Sequence, residues 1–401
     1  MTETSQWQNR YDAVMMPNYG TPDVVLSSGD GCIVTDVDGK TYLDLFAGIA
    51  VSSLGHNHPA LVEAVNRQVA TIAHTSNLFV NEPEVVLAEK LVDLLGAPAR
   101  VLFTNSGTEA NEAALKLAIL HGKSAGRGYV VAAEDGFHGR TLGALSVTGK
   151  ASIREPFGPF GIDVRFVPYG DADALKNAVT TECAAVIMEP TQGEAGVIPP
   201  PPGYLQVVRD VCDATGALFI ADEVQSGIGR TGTWFAHQQH RVLPDVVTLA
   251  KGLGGGLPIG AVLGVGDAGT VLTKGMHGST FGGNAVTTAA AIAVLDTIET
   301  DGLLQHVVMA GHHLASGVRA LRHPLVAHTR GSGLWRGIVL VEDVAAEAAG
   351  ALREAGFIVN PVRPSVLRVS PPLIVTLDQL DLFLDALRDA LDAAYPPGER
   401  P

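Results

Sequence analysis

Cysteine is scarce in this sequence, and its few cysteines are scattered. Cys32, Cys183 and Cys212 are the three that occur among 401 residues. An odd number of widely separated cysteines supports neither a disulfide framework nor a zinc site built from paired CxxC ligands. His56 and His58 have no acidic or thiol cluster beside them, so a structural role is favoured over metal ligation. We therefore predict no bound metal, and a reducing cytoplasm suits these cysteines best.

Positive charge is also in short supply. The chain has 27 Lys and Arg against 42 Asp and Glu, which gives a formal net charge of -15. Nucleic acids and anionic membranes carry charge of the same sign, so neither is an expected partner. The first residues do not show the basic and apolar regions of a signal peptide, and Gly and Pro interrupt the most apolar windows. The sequence accordingly predicts no membrane span.

Apolar residues, by contrast, are plentiful. They make up 46% of the chain while charged residues make up 17%, which is enough for a sizeable core. Residues 1–60 contain short alternating runs between turn signals, and this pattern indicates a small antiparallel sheet. After His58-Pro59, apolar residues at three-to-four spacing predict helices over 60–73 and 83–95.

Strand-like and helical runs alternate from residue 100 to about residue 265. This alternation predicts a mostly parallel sheet covered by helices, which is an α/β architecture. A long helical stretch runs from Asn284 toward Ala320, and a strand-like run at 338–340 and a helix from Leu377 to Ala394 follow it. We expect an N-terminal segment that contributes to a smaller α+β domain, a large ligand-binding domain and a C-terminal small domain, over residues 1–60, 61–300 and 301–401.

The stretch from Leu243 to Gly260 is the most informative part of the chain. Its residues 245–250 are short, β-branched and bounded by Pro244 and glycines, which predicts a buried strand. Lys251 stands at the end of this strand, where poor solvation lowers the pKa of an amine toward neutrality. A nucleotide P-loop is excluded because its lysine follows the glycines, whereas this lysine precedes them. An isolated lysine is most often a solvated surface residue, but these flanks favour a Schiff base with a carbonyl cofactor.

A group of polar residues follows the strand-like run at 101–103. Ser106 and Glu109 have the spacing of a capping box, and a helix is predicted from Glu112 to Leu120. Free backbone N–H groups, hydroxyls and a helix dipole converge at such a turn, which makes it a candidate phosphate site. An ordinary capped helix would show the same pattern and stays open as the alternative.

A carboxylate follows the strand-like run at 217–221. Asp222 stands at the tip of this predicted buried strand, where a carboxylate needs a cationic partner, and a pyridinium nitrogen would serve. A structural aspartate that caps a loop is the alternative. The adjoining stretch 227–232 matches GxGxxG, but acidic and polar residues separate it from its strand and no helix follows it. We interpret it as a false dinucleotide motif.

Two further turns offer ligand-binding groups. Phe137 and Arg140 follow the strand-like run at 129–132 and provide an aromatic face and a guanidinium that binds carboxylates. The turn at 277–284 supplies hydroxyls and backbone N–H groups among glycines. Taken alone, these residues would suit a core or a surface equally well.

Together these features are the parts that pyridoxal phosphate needs. The sequence resembles the class III (subgroup II) aminotransferases of fold type I, and within them the acetylornithine aminotransferases. The matching segments span nearly the whole chain, and their joint occurrence in this order is highly specific. They are PNYGTPDVVL, DLFAGIAVSSLGHNHP, FTNSGTEANEAALKLA, FHGRTLGALS, EPTQGEAGV, FIADEVQSGIGRTG, LAKGLGGGLPIGA, HGSTFGGN and LRVSPPL.

The resemblance implies pyridoxal 5'-phosphate as the cofactor and Lys251 as the Schiff-base lysine. Asp222 would pair with the pyridine nitrogen, Gln225 would hydrogen-bond the phenolic oxygen, and Phe137 would stack on the ring. Lys251 and Asp222 are the expected catalytic residues. The expected cofactor-binding residues are Ser106, Gly107, Thr108, Phe137, Asp222, Glu223, Val224, Gln225, Lys251 and Thr280.

The resemblance also implies a homodimer with shared active sites. Gly107 and Thr108 would hold the phosphate from one subunit, and Thr280 would reach it from the other. The expected substrate-binding residues are Arg140 and Ser279 for acetylornithine, Arg368 for an α-carboxylate, and Glu194 as the residue that gates Arg368.

An enzyme of this kind would transfer the δ-amino group of N2-acetyl-L-ornithine to 2-oxoglutarate. The products would be N-acetyl-L-glutamate 5-semialdehyde and L-glutamate, in arginine biosynthesis. Succinyl-diaminopimelate, ornithine and 4-aminobutyrate remain alternative amino donors. Ile49 weighs against ornithine, because the ornithine enzymes carry a tyrosine at the aligned position. A catalytically silent relative that keeps the fold is a further alternative, and the presence of Lys251 and Asp222 argues against it.

Overall fold

A computed structural model describes residues 2–394 of the chain. The helices are α1 (Glu3–Val14), α2 (Ala47–Ala50), α3 (Pro59–Thr71), α4 (Glu82–Leu95), α5 (Gly107–Ser124), α6 (Leu142–Ser146), α7 (Ala151–Arg154), α8 (Ala172–Ala178), α9 (Tyr204–Thr215), α10 (Ala285–Thr300), α11 (Leu303–Ala320), α12 (Ala345–Glu354) and α13 (Leu377–Ala394). The strands are β1 (Leu26–Asp30), β2 (Ile33–Asp36), β3 (Thr41–Asp44), β4 (Ala99–Thr104), β5 (Tyr129–Ala133), β6 (Asp163–Val167), β7 (Cys183–Met188), β8 (Leu218–Asp222), β9 (Val246–Leu249), β10 (Gly260–Val265), β11 (Val326–Ser332), β12 (Trp335–Leu340), β13 (Phe357–Ile358), β14 (Asn360–Arg363) and β15 (Val366–Val369).

A seven-stranded sheet forms the central layer, in the order β4-β10-β9-β8-β7-β5-β6. Strands β6, β5, β7, β8 and β9 pair in parallel, whereas β10 runs antiparallel to both of its neighbours, β9 and β4. Successive residues of a strand point to opposite faces, so Phe219 packs in a cluster with α9 while Ile220 packs in a cluster with α5. The predicted α/β fold, a mostly parallel sheet covered by helices, is confirmed.

The reversed strand β10 lies between β4 and β9 and pairs with both of them. Gly260 pairs with Thr104 of β4, and the next residue, Ala261, pairs with Leu249 of β9. A Cβ atom on Gly260 would collide with the Thr104 hydroxyl and the Ser106 carbonyl, so only glycine fits there. The hydrophobic pattern had indicated the strands of this region but not the direction of β10.

The N-terminal residues form the antiparallel sheet β1-β2-β3, as the alternating pattern predicted. Strand β13 from the C-terminal part adds to this sheet, parallel to β3. Helix α1 was not predicted, because it buries none of its residues and therefore shows no apolar face. Its cap is local, with the Thr2 hydroxyl accepting the Ser5 N–H bond at 3.2 Å.

The C-terminal part contains a four-stranded sheet, β11-β12-β15-β14, packed against α11 and α12, and α13 packs against these two helices. The strand predicted at 338–340 and the helix predicted from Leu377 to Ala394 are both present. The long helix predicted after Asn284 is interrupted, since α10 ends at Thr300 and α11 begins at Leu303. Gly302 between them has a φ angle of 63°, which breaks a right-handed helix.

Three kinds of feature are absent from the described residues. Between residues 2 and 394 no helix is long and apolar enough to cross a membrane. Over the same span no group of three or more His, Cys, Asp or Glu side chains is arranged to hold a metal ion. Disulfides are likewise absent there, and Cys32, Cys183 and Cys212 are free and buried.

Candidate active site

The residues that follow the parallel strands line one cavity of about 410 Å³. In open α/β sheets ligands bind beyond the carboxyl ends of the strands, and this cavity lies there. The sequence-predicted residues that line it are Ser106, Gly107, Thr108, Phe137, Arg140, Asp222, Val224, Gln225 and Lys251. Asn105, Asn111, His138 and Glu189, to which the sequence analysis gave no role, line it as well.

Lys251 begins a tight turn directly after the buried strand β9. Its φ angle of 43° lies in the left-handed region, which is unusual for a residue with a side chain and typical of functional sites. Burial lowers the pKa of its amine to about 8; the carboxylate of Glu194 opposes this shift and the guanidinium of Arg368 adds to it. The amine has no hydrogen-bond acceptor in the described part of the chain. Lys251 is therefore a free and partly neutral amine, which is the form that attacks a carbonyl carbon.

The start of α5 forms an anion-binding corner of the cavity. The Ser106 hydroxyl accepts the Glu109 N–H bond at 3.3 Å, so the predicted N-cap is present. The Glu109 carboxylate bonds the backbone and side-chain N–H groups of Asn105 at 2.7 and 2.8 Å, one residue before the position expected in a capping box. The N–H groups of Gly107 and Thr108 find no acceptor within residues 2–394. Free N–H groups at a helix start provide a site for a phosphate.

Gly107 is sterically required at this corner. A Cβ atom on it would lie 2.6 Å from Cγ1 of Val224, which is closer than carbon atoms approach. Val224 in turn follows Asp222 on the end of β8. The absence of a side chain at Gly107 thus lets the helix start and the strand end meet across a narrow cavity.

Asp222 is buried at the floor of the cavity, with 3% of its surface exposed. One carboxylate oxygen, Oδ2, accepts hydrogen bonds from His138 Nδ1 at 2.7 Å and from Asn111 Nδ2 at 2.8 Å. The other oxygen accepts the Val224 N–H bond at 3.0 Å and keeps a free lone pair. The protein itself thus supplies an imidazole partner to this carboxylate, in addition to the cationic ligand group that the sequence analysis expected.

His138 and Asn111 are functional candidates that the sequence analysis missed. Burial lowers the pKa of His138, but the hydrogen bond and charge of Asp222 and the charge of Glu189 outweigh it, so the pKa is raised overall. Both residues lie in segments whose neighbours were singled out, since His138 follows Phe137 and Asn111 lies one helical turn beyond Gly107. That adjacency was the available signal; their convergence on Asp222 depends on how α5 and β5 pack beside β8.

Glu223 does not bring its side chain to the cavity, although it was expected to bind the cofactor. Its carboxylate accepts the N–H bonds of Ala236 and His237 at 2.9 and 2.8 Å, and it contacts His237 Nδ1 at 2.9 Å. The Ser226 hydroxyl donates a further hydrogen bond to it. Adjacent residues at a strand end point to opposite faces, which separates Glu223 from Asp222.

Arg368 on β15 is almost fully buried beside the cavity and bonds three side chains. Its Nη1 donates to Glu194 Oε1 at 2.6 Å and to Gln225 Oε1 at 2.9 Å, and its Nη2 donates to Asn360 Oδ1 at 2.8 Å. Burial raises the pKa of Glu194, but the charge and hydrogen bond of Arg368 outweigh it and lower the pKa overall. The structure therefore brings the predicted arginine and its predicted gating glutamate together, next to the cavity residue Gln225.

The remaining predicted residues lie at the rim. The guanidinium carbon of Arg140 is 5.6 Å from the centroid of the Phe137 ring, and Arg140 is exposed. Ser279 and Thr280 are not lining residues of the cavity in their own chain, and Thr280 is exposed. Ser279 still touches the site indirectly, because its hydroxyl accepts a hydrogen bond from the cavity residue Asn105 at 2.9 Å.

The sequence model of the family Aminotransferase class-III matches residues 14–391. The chain belongs to the class III aminotransferases, which are pyridoxal-phosphate-dependent enzymes. It is 55% identical to the acetylornithine aminotransferase of Mycobacterium tuberculosis over 395 residues, which is 98% of each chain. The acetylornithine aminotransferase of Streptomyces coelicolor is 54% identical over 392 residues, 98% of this chain and 96% of that one.

Solved structures agree with the family assignment. The ornithine aminotransferase from Toxoplasma gondii has a TM-score of 0.93 and 31% identity, covering 97% of this chain and 95% of that chain. The acetylornithine aminotransferase from Elizabethkingia anophelis has a TM-score of 0.88 and 34% identity, covering 97% and 99%. A second structure of the Toxoplasma enzyme shows pyridoxal phosphate at partial occupancy in its active site. The predicted fold type, family and cofactor are thereby confirmed.

The residues present fit this cofactor. The Lys251 amine has no acceptor, the N–H groups of Gly107 and Thr108 have none either, and the carboxylate of Asp222 keeps a free lone pair. These are in turn the groups that an aldehyde, a phosphate and a protonated ring nitrogen require. Two buried atoms, Asn111 Oδ1 and His138 Nε2, are also without a partner in the described chain.

Proposed function

We propose that this enzyme transfers the δ-amino group of N2-acetyl-L-ornithine to 2-oxoglutarate. The products would be N-acetyl-L-glutamate 5-semialdehyde and L-glutamate, in arginine biosynthesis. The main structural support for this proposal is a pair of arginines at different depths. Arg368 is buried against Glu194, and Arg140 is exposed at the rim. The names of the relatives that are 54–55% identical support the same substrate.

The two arginines explain how one site would take two unlike substrates. While Glu194 holds Arg368, Arg140 is the member of this pair that stays open to a carboxylate, which suits an acylated amino acid that reacts at its distant amine. Glutamate and 2-oxoglutarate react next to a carboxylate and carry a second one farther away. They require Arg368 to be released from Glu194, after which the two guanidiniums bind the two carboxylates.

The chain's own residues would divide the chemistry as follows. Bound pyridoxal phosphate supplies an aldehyde that takes up the amino group and a ring that withdraws electrons from the adjacent C–H bond. Gly107 and Thr108 would hold the phosphate through their N–H groups, and Phe137 would restrain the ring. The negative charge of Asp222 would keep a proton on the ring nitrogen. The Lys251 amine would hold the aldehyde carbon of the cofactor, and as a free amine it would accept the proton from the substrate carbon.

The substrate assignment is tested by initial rates with four amino donors side by side. Acetylornithine should give the highest kcat/KM, with succinyl-diaminopimelate, ornithine and 4-aminobutyrate below it. Ornithine is the second candidate, because an ornithine enzyme has a TM-score of 0.93 with this fold. Ile49, at the position where the ornithine enzymes carry tyrosine, is 37% exposed in the turn α2. A higher kcat/KM for ornithine than for acetylornithine would overturn the assignment.

We also propose that the enzyme is a homodimer with shared active sites. Thr280 would reach the phosphate bound by the neighbouring subunit, since it is exposed and does not line its own cavity. Phe281 beside it is 59% exposed, and Leu78 and Phe79 are 87% and 69% exposed, which suits a face that a second subunit covers.

Subunit complementation tests the shared site. Lys251→Ala and Thr280→Asp are each prepared as nearly inactive proteins and mixed under conditions that exchange subunits. If Thr280 acts on the neighbouring site, one site of each mixed dimer has both wild-type residues, and activity returns to about one site per mixed dimer. If exchange is verified by mass and no activity returns, Thr280 serves its own subunit.

We further propose the division into a large domain over 61–300 and a small domain made of 301–401 with residues 1–60. The pairing of β13 with β3 supports the contribution of the N-terminal segment to the small domain. Residues 395–401 of this division lie outside the described part of the chain. A cytoplasmic location is proposed with it, supported by three cysteines that are free and buried.

A further inference from the structure

Glu189 is a buried carboxylate at the floor of the cavity that the reaction scheme does not use. It follows the last residue of β7 and is 5% exposed. Its Oε1 accepts the Phe137 N–H bond at 2.9 Å, and its Oε2 accepts the Gly193 N–H bond at 3.0 Å. Within residues 2–394 no lysine or arginine pairs with it. Each oxygen therefore holds a different backbone segment.

One of the two segments contains cavity residues, and the other leads to the Glu194–Arg368 pair. The first contains Phe137, which lines the cavity, and His138, which bonds Asp222. The second leads from Gly193 into Glu194, which holds Arg368. Gly193 also lies against Gln225, because a Cβ atom on Gly193 would come 2.5 Å from Gln225 Oε1. A shift of either segment would therefore be transmitted through Glu189 to the other.

A carboxyl group can hold both segments in this way, because each of its two oxygens can accept an N–H bond. A glutamine of the same size has one acceptor oxygen, so its NH₂ group would face one of the two N–H donors. The carboxylate is held here at an energetic cost. Burial raises the pKa of Glu189 to about 7; the charge of His138 opposes this, that of Asp222 adds to it, and the two N–H bonds oppose it.

The surroundings of Glu189 contain few other ionisable groups. Asp222 faces it from β8, His138 from the turn after β5, and Lys251 from the turn after β9. Tyr169, after β6, donates its hydroxyl to the backbone carbonyl of Glu189 at 3.0 Å. None of these supplies a second donor to its carboxylate oxygens.

We propose that Glu189 is a positioning residue that holds the Phe137 segment and the Gly193–Glu194 segment in a fixed relation. Through it, the ring-binding side of the cavity and the Glu194–Arg368 gate keep their alignment during the reaction. The inference rests on the roles proposed above for Phe137, Glu194 and Arg368. It does not depend on which amino donor the enzyme prefers.

The test compares Glu189→Gln with a matched control, Glu112→Gln. The Glu112 carboxylate also accepts two backbone N–H bonds, from Gly143 at 2.8 Å and Ala144 at 3.2 Å, but both go to Oε1 and the residue does not line the cavity. Glutamine can therefore keep both bonds at position 112, whereas at position 189 it must lose one. The holoenzymes are compared in the single-turnover reaction with L-glutamate. This half-reaction is the same whichever amino donor the enzyme prefers, because every candidate reaction produces L-glutamate. The visible circular dichroism of the bound cofactor reports the orientation of its ring independently of turnover.

We expect Glu189→Gln to slow the glutamate half-reaction by about 5- to 150-fold, which corresponds to one buried donor left unpaired. Its visible circular dichroism band should weaken, while Glu112→Gln stays within about twofold of wild type in both measurements. In the background of Glu194→Gln, where the gate has lost its ion pair, the added effect of Glu189→Gln should shrink by at least half.

Three outcomes overturn the proposal. They are an unchanged band with rates within twofold of wild type, effects equal to those of Glu112→Gln, and full additivity with Glu194→Gln. If Glu189→Gln does not yield folded holoenzyme, Glu189→Asp is judged by the same criteria, since it keeps both acceptors but withdraws them by one methylene. Failure of the acetylornithine assignment would leave all these glutamate measurements unchanged, so the two results are separable.

Discussion

Asp222 and Glu223 are adjacent buried carboxylates that face opposite sides of the end of β8. Each has an imidazole partner, His138 for Asp222 at 2.7 Å and His237 for Glu223 at 2.9 Å. Glu223 has three further donors, from Ser226 and from the backbone of Ala236 and His237. Asp222, which lines the cavity, has two further donors and one lone pair without a donor.

The difference between the two regions is one of hydrogen-bond completeness rather than residue type. On the Glu223 side every acceptor direction is used within the protein, so that the carboxylate fixes the loop at 236–237. On the cavity side the Asp222 carboxylate, the Lys251 amine and the N–H groups of Gly107 and Thr108 have capacity left over. A buried polar group with unused capacity destabilises the empty protein and is stabilised by a ligand. We therefore expect mutations on the two sides to separate into effects on rate and effects on stability.

Lys251→Ala should give the largest effect on the cavity side. Loss of the amine removes both the covalent anchor and the proton carrier, so turnover should fall by at least about 10³-fold. Burial lowers the pKa of this lysine from 10.5 to about 8. Below pH 8 the amine is mostly charged in the folded protein as well, and burial of this charge destabilises the folded state. The variant without cofactor should therefore unfold at pH 7 at a temperature no lower than wild-type protein without cofactor. Appreciable turnover, or a clearly lower unfolding temperature, would break the comparison.

Asp222→Asn should be next in size. The amide keeps the side chain's shape but removes the charge that holds a proton on the cofactor ring, so kcat should fall by about 10²- to 10³-fold. Cofactor content, measured by absorbance, should fall much less than kcat. If the variant turned over as fast as wild type, Asp222 would be structural, like its neighbour.

Glu223→Gln should produce the opposite pattern. Its NH₂ group would face N–H donors that the carboxylate now satisfies, which should lower the free energy of unfolding by about 1 to 3 kcal/mol. The kcat of the folded holoenzyme should stay within about threefold of wild type. Denaturant unfolding and steady-state rates on one preparation measure both quantities. A fall in kcat of more than threefold with an unchanged free energy of unfolding would contradict the distinction.

Glu189 extends the comparison to an acid with two donors, and its effect should depend on pH. Its pKa is raised from 4.5 to about 7, so between these values the folded protein keeps a proton that the unfolded chain releases. Stability from this group therefore falls as pH rises through that window and levels off above it. The stability advantage of wild type over Glu189→Gln should shrink by about 1 to 3 kcal/mol between pH 5 and pH 8. An advantage that stays constant or grows would show that Glu189 is ionised throughout.

The sequence predicted the individual strand ends better than the contacts between them. Lys251 and Asp222 were identifiable because each follows a short apolar run, and burial of the run determines the environment of the next residue. The pairing of Asp222 with His138 and Asn111 was not predictable, because it depends on the register of β5 and α5 beside β8. The direction of Glu223 was missed for a related reason, since a one-residue step changes the face on which a side chain lies.

Irregular backbone was the other limit of the sequence analysis. Ala47, Ile49 and Ala50 have φ angles of 50°, 65° and 62°, so α2 is a left-handed turn made without glycine at these positions. Local preference disfavours this conformation by about 1 to 2 kcal/mol per residue. Hydrogen bonds around the turn offset this cost, since the Asp44 carboxylate accepts the Phe46 and Ala47 N–H bonds at 3.0 and 2.8 Å. The Ala47 carbonyl accepts the N–H bonds of Val51 and Ser52 at 2.7 and 3.0 Å. No propensity rule reports such a turn.

The reversed strand β10 has a consequence for enzyme engineering. Because Gly260 pairs with Thr104 and Ala261 pairs with Leu249, the hydrogen-bond ladder sets the spacing between the end of β9 and the end of β4. The lysine and the phosphate corner follow these two strand ends, so their separation is independent of the exposed rim. A library aimed at new amino donors can therefore vary the exposed Ile49 while the strands stay constant. It should keep Arg140, because the proposed binding of 2-oxoglutarate uses that guanidinium as well. A one-residue deletion before Gly260 would move both anchors and end activity toward every donor at once.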